Sequence, residues 1–102
     1  MSSFLSEEEW GVLRDIAGFL RQFVEYDPER PRYGYIDRLA TPYNLKIVEL
    51  TLEEALREAR SSGDFWIPSE ESVKRFLELC SRDLRYSTIV AALALAKLSR
   101  RR

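Results

Sequence analysis

Leu45-Lys46-Ile47-Val48-Glu49-Leu50 is the stretch whose reading decides the fold. It is rich in β-branched residues and reads as a strand. Upstream, Tyr33-Gly34-Tyr35-Ile36 reads as a shorter strand, with both tyrosines on one face because side chains alternate in direction. Ala40-Thr41-Pro42-Tyr43-Asn44 then turns the chain back on itself. Pro28, Pro31, Gly34 and Pro42 argue against a long helix over 28–43. A short helix at Ile36–Ala40 is the competing reading of that segment. Downstream, Phe65-Trp66-Ile67 follows a Ser-Ser-Gly-Asp turn and reads as a third short strand.

Helices flank these strands. Ser6 and Glu9 have the spacing of a capping box, and Leu5 and Trp10 that of a hydrophobic staple. Trp10, Leu13, Ile16, Ala17, Leu20, Phe23 and Val24 recur at three- and four-residue steps, which predicts a first helix with one buried face. Asp27-Pro28 ends it, since the residue before proline is pushed out of the helical region. Thr51 and Glu54 predict a second helix over 52–60, closed by Ser62-Gly63. Pro68, Ser69, Glu70 and Glu71 predict the start of a third, with a stripe of Val73, Phe76, Leu77, Cys80 and Leu84. A break over Asp83–Ser87 precedes a last helix over Ile89–Leu98. The expected fold is therefore a single α+β domain over residues 1–102, about four helices packed on a small antiparallel sheet.

Composition narrows the chemistry. The chain has 102 residues, no histidine and one cysteine. Zinc sites of the Cys/His kind and Ser-His-Asp or Cys-His triads cannot be assembled from that set. Cys80 has no partner for an internal disulfide. It sits on the apolar stripe of its helix and reads as a buried, inert thiol. Glu7-Glu8-Glu9 and the acids of 49–58 are explained by helix starts, so no metal, no cofactor and no catalytic residue is expected. The longest apolar run, Ile89–Ala96, is too short for a bilayer. Nothing resembles a signal peptide, and the expected location is cytoplasmic.

Net charge is −1, but unevenly spread: residues 47–71 hold seven acids against two bases, and residues 72–102 two acids against eight bases. The basic end is compatible with a polyanion. Arg100-Arg101-Arg102 also suits a solvated tail after a helix.

Four of the five tyrosines and three of the four prolines fall within residues 26–46, interleaved with Arg30, Arg32, Arg38 and Lys46. Rings beside cations suit the stacking of unpaired bases and the neutralisation of their phosphates. The expected partner is single-stranded nucleic acid, DNA or RNA, bound without enzymatic action or sequence preference. Tyr33, Tyr35, Tyr43 and Trp66 would stack; Arg30, Arg32, Arg38 and Lys46 would meet phosphates, with Lys74 and Arg75 as outlying contacts. The bland account has the tyrosines closing a sheet edge and the arginines pairing with Asp27, Glu29 and Asp37. For Phe65-Trp66 the expectation is that Phe65 packs and Trp66 stays available. Arg75, Arg82 and Arg85 would share one side if their helix continued, either for phosphate or as a solvated face. A second expectation is a protein-interaction or assembly subunit, in which the apolar last helix docks on a partner or on a second copy as a homodimer.

The order of these parts (amphipathic helix, aromatic and basic middle, Leu45–Leu50 strand, C-terminal helices) resembles the ThermoDBP family. Its members are archaeal proteins that bind single-stranded nucleic acid without an OB-fold. The resemblance implies an aromatic, basic cleft against the sheet, involving Tyr33, Tyr35, Trp66 and nearby arginines. It also implies a C-terminal coiled coil for assembly, for which no heptads follow the last helix here.

Overall fold

Five helices, and no strand, make up the described residues of the computed structural model, which are 5–27 and 29–99. They are α1 (Glu7–Glu25), α2 (Gly34–Ala40), α3 (Leu45–Ser62), α4 (Glu70–Arg82) and α5 (Arg85–Ser99). The α+β expectation with its antiparallel sheet is thus overturned. Pro28 and the Arg100–Arg102 tail lie outside the described residues.

Each expected strand fails for a local reason. Leu45–Leu50 forms the first turns of α3, because Val48, Leu52, Ala55, Leu56 and Ala59 make one buried helical face running straight through the supposed boundary. Burial of that face overrides the β preference of Ile47 and Val48. The cap is Asn44, whose Oδ1 accepts from the Ile47 N–H at 3.1 Å. Thr51 does not cap; it is buried in mid-helix and donates to the Ile47 carbonyl at 2.7 Å. Gly63 closes α3 in a left-handed conformation, φ 78°. Tyr33–Ile36 enters α2 instead of a strand, in line with the competing helical reading. Phe65–Ile67 is an irregular segment between α3 and α4.

The other helices begin as their caps dictate. Ser6 and Glu9 exchange two hydrogen bonds, at 3.1 and 3.0 Å, to open α1. The Ser69 hydroxyl accepts from the Ser72 N–H at 3.1 Å to open α4. Asp83, in extended conformation, ends α4. Arg85 folds back on it, with Nη2 2.7 Å from Oδ2. The helix therefore does not continue, and Arg85 does not join Arg75 and Arg82 on one face.

One cluster of buried side chains forms the core. Leu13, Ile16, Phe19, Leu20 and Phe23 of α1 meet Ile36, Leu39, Val48, Leu52, Phe76, Leu79 and Val90. α5 packs chiefly on α1 and α2 and also touches α4; Tyr86, Ser87, Val90, Ala91 and Ala94 face inward. Much of the apolar run of α5 is thereby used inside the fold. Among the described residues, no helix is long and apolar enough to cross a membrane.

Candidate functional site

α2 is only seven residues long, too short to be stable alone. Its neighbours hold it. Ile36 and Leu39 are buried, the Ser87 hydroxyl donates to the Leu39 carbonyl at 2.6 Å, and the Thr88 hydroxyl donates to the Ala40 carbonyl at 2.9 Å. Two carbonyls at the C-terminal end of α2 are thus satisfied by α5. With its inner face fixed, α2 turns Tyr35 and Arg38 toward α3.

There they meet two carboxylates one helical turn apart. The Tyr35 hydroxyl donates to Glu58 Oε1 at 2.6 Å, and Arg32 pairs with the other Glu58 oxygen. Arg38 Nη1 lies 2.9 Å from Glu54 Oε1. Rings sit under both cations: the Arg38 guanidinium is 5.4 Å from the Tyr35 ring centre and that of Arg32 6.0 Å from the Phe23 ring centre. The Arg32 N–H donates to the Phe23 carbonyl at 3.3 Å, anchoring the loop to the end of α1. Pro31, Arg32, Tyr33, Gly34, Tyr35, Arg38 and Glu58 line a groove of about 410 Å³.

Two guanidinium groups against two carboxylates leave this groove near neutral. The pairs are nonetheless weakly held. The Arg38 and Glu54 side chains are 47% and 49% exposed, where an ion pair contributes about 0.2–1 kcal/mol. The acids that pair are Glu54 and Glu58, rather than Asp27, Glu29 and Asp37. The sequence reading missed them. Their signal is the i, i+4 spacing on one helix face, which becomes informative only once α2 is known to lie against α3.

Of the ten candidate residues, Arg32, Tyr33, Tyr35 and Arg38 come together. The others do not line this groove. Arg30 is exposed in the turn, its N–H donating to the Asp27 carbonyl at 3.0 Å. Tyr43 is 91% exposed just before α3, and Lys46 is exposed in its first turn. Trp66 is 53% exposed between α3 and α4. Its neighbour Phe65 packs inward, ring centres 4.6 Å from Phe23 and 5.2 Å from Tyr26. Phe65 therefore packs and Trp66 faces out, though no strand sets that alternation. Lys74 and Arg75 line a different groove, and Arg75 is engaged by Glu78 at 2.9 Å, Glu9 at 3.7 Å and Glu8 at 3.8 Å.

Tyr26, unnoticed as a site residue, is half exposed beside Phe65 and donates to Asp64 Oδ2 at 3.1 Å. That hydrogen bond, with the Asp64 charge, pushes its phenol above the ordinary tyrosine range. Among the described residues no group of three acids or cysteines is placed to hold a metal ion. Compared with protein-family models, curated proteins and solved structures, the chain matches none.

Proposed function

We propose that this chain is a non-enzymatic module that binds single-stranded nucleic acid at the groove between α2 and α3. One observation carries the reading: two arginines and two tyrosines, from ten residues chosen on chemistry alone, line the same opening. The Tyr33 ring is 43% exposed there and offers a base a face to stack on. Arg32 and Arg38 would exchange an exposed carboxylate for a phosphate, a trade of one charge-assisted hydrogen bond for another. Their stacked rings would keep the guanidinium planes in place during that exchange. Binding is weak, because Glu54 and Glu58 compete for the same cations. The reading rests on this groove, since the sheet-backed cleft implied by the ThermoDBP resemblance has no counterpart among the described residues. A cytoplasmic setting belongs to the same proposal.

Titration of a labelled single-stranded oligonucleotide at several salt concentrations tests it. Two phosphate contacts give a slope of log affinity against log salt of roughly −1.4. No binding at low salt sinks the proposal.

Assembly through α5 is the second reading, favoured by Leu95, which stands 38% exposed beside Ala92 on its outer face. Sedimentation velocity at micromolar concentration tests self-association through this helix; a lone monomer rules that out.

A further inference from the structure

A second groove lies elsewhere, over α4 where α1 and α3 flank it, with a volume of about 740 Å³. Val12 of α1, Leu45 of α3 and Leu77 of α4 give it an apolar lining; each is half-buried and packs against the core from its outer side. Glu8, Glu49, Glu71 and Glu78 stand around them, against Lys74 and Arg75 alone. Arg75 is already shared by Glu8, Glu9 and Glu78, so its charge is more than matched. Glu49 and Glu71 form no ion pair among the described residues.

We propose that this acid-rimmed groove docks a basic amphipathic helix of a protein partner. Charge complementarity sets the sign of the occupant, because lysines or arginines flanking an apolar stripe would meet the four glutamates. Phosphate-bearing ligands are disfavoured here by the same carboxylates. Shape sets the class. The groove is open to solvent and its apolar residues come from three separate helices, so a small molecule would stay largely wet. A helix laid along it places side chains at three- and four-residue steps against that lining while its charged flanks reach the rim. This surface shares no lining residue with the groove between α2 and α3.

The probe is a synthetic leucine–lysine peptide with its leucines on one helical face, titrated into the isotopically labelled protein and followed by amide chemical shifts. Two controls accompany it: the same composition with the leucines scattered, and the patterned peptide with glutamate in place of lysine. Expected shifts cluster on Val12, Leu45, Glu49 and Leu77, and neither control reproduces them. The double variant Glu49→Lys, Glu71→Lys lowers affinity by about tenfold or more, since like charges then face each other. Should that variant fail to fold by circular dichroism, Glu71→Lys alone carries the test, because Glu71 is exposed. The proposal is overturned by absent binding, by equal binding of the scattered peptide, by unchanged affinity in the variant, or by shifts confined to the Arg32–Arg38 groove.

Discussion

Gln22 holds the backbone of Trp66 from both sides: its Oε1 accepts from the Trp66 N–H at 2.9 Å and its Nε2 donates to the Trp66 carbonyl at 2.8 Å. A primary amide carries the donor and acceptor of a peptide group, so this side chain from α1 does for residue 66 what a neighbouring strand would do in a sheet. Residue 66 can therefore lie outside any helix or sheet with both of its backbone polar groups paired. Replacing Gln22 by Ala removes both bonds at once, and with them a longer one from Nε2 to the Phe19 carbonyl at 3.2 Å. At ~0.5–1.5 kcal/mol each, and with water able to reach an exposed residue, the expected loss is about 1–2 kcal/mol. That corresponds to a melting point lower by roughly 4–16 °C for a domain of this size. Amide exchange at Trp66 should quicken more than at Leu13; equal protection in the variant would show that the pairing contributes nothing.

Legibility in the sequence followed the range of the interaction. Ser6 with Glu9, and Ser69 before Glu70, announce α1 and α4 because a cap and its helix are neighbours in the chain. Leu45–Leu50 reads as a strand because the β preference of two residues is local, whereas the face joining Val48 to Ala59 matters only when a core covers it. Asn44 reads as a turn residue in sequence for the same reason, although it caps α3. In the candidate site, the cations were legible as a cluster between residues 30 and 38. Their carboxylate partners, 16 to 26 positions away on α3, were not, since only the docking of α2 selects Glu54 and Glu58 from among the acids.

Cys80 sets a pH dependence. Burial, with Asp83 nearby, pushes its thiol up to about 12 from an ordinary 9.0. Above pH 9 the unfolded chain releases this proton while the folded chain keeps it, so the unfolded state binds fewer protons and stability falls as pH rises. The contribution is present in full below pH 9 and is lost progressively toward about pH 12. A Cys80→Ala variant, whatever its overall stability, should show a shallower decline in unfolding free energy across that window. Alkylation of the native thiol at pH 8 should be slow and accelerate in urea. Fast labelling of folded protein would contradict the burial.

Two glycines should respond with opposite signs to the same substitution. Gly63 has φ 78°, and no neighbour lies within 4 Å of the position a Cβ would take. Gly63→Ala therefore costs only the left-handed backbone penalty, about 1–2 kcal/mol. Gly11 sits inside α1 with no positive φ and the same open space. Gly11→Ala should gain roughly 0.5–1 kcal/mol by helix propensity. Urea unfolding of the two variants measures both, and a stabilised Gly63→Ala would refute the capping role assigned to it.

The competition between Glu54 and phosphate gives the proposed nucleic-acid groove its sharpest test. If Arg38 must leave Glu54 to take a phosphate, Glu54→Gln frees the guanidinium and removes a negative charge from the opening. Affinity for a single-stranded oligonucleotide should then rise, by about two- to fivefold if the released pair is worth ~0.5–1 kcal/mol. Arg38→Ala should abolish that gain, and Tyr33→Ala should weaken binding in either background by loss of a stacking face worth ~1–3 kcal/mol. Fold is not at stake, since all three side chains are at least two-fifths exposed. If Arg38 and Glu54 serve only to pin α2 against α3, Glu54→Gln will lower stability slightly and leave oligonucleotide affinity where it was.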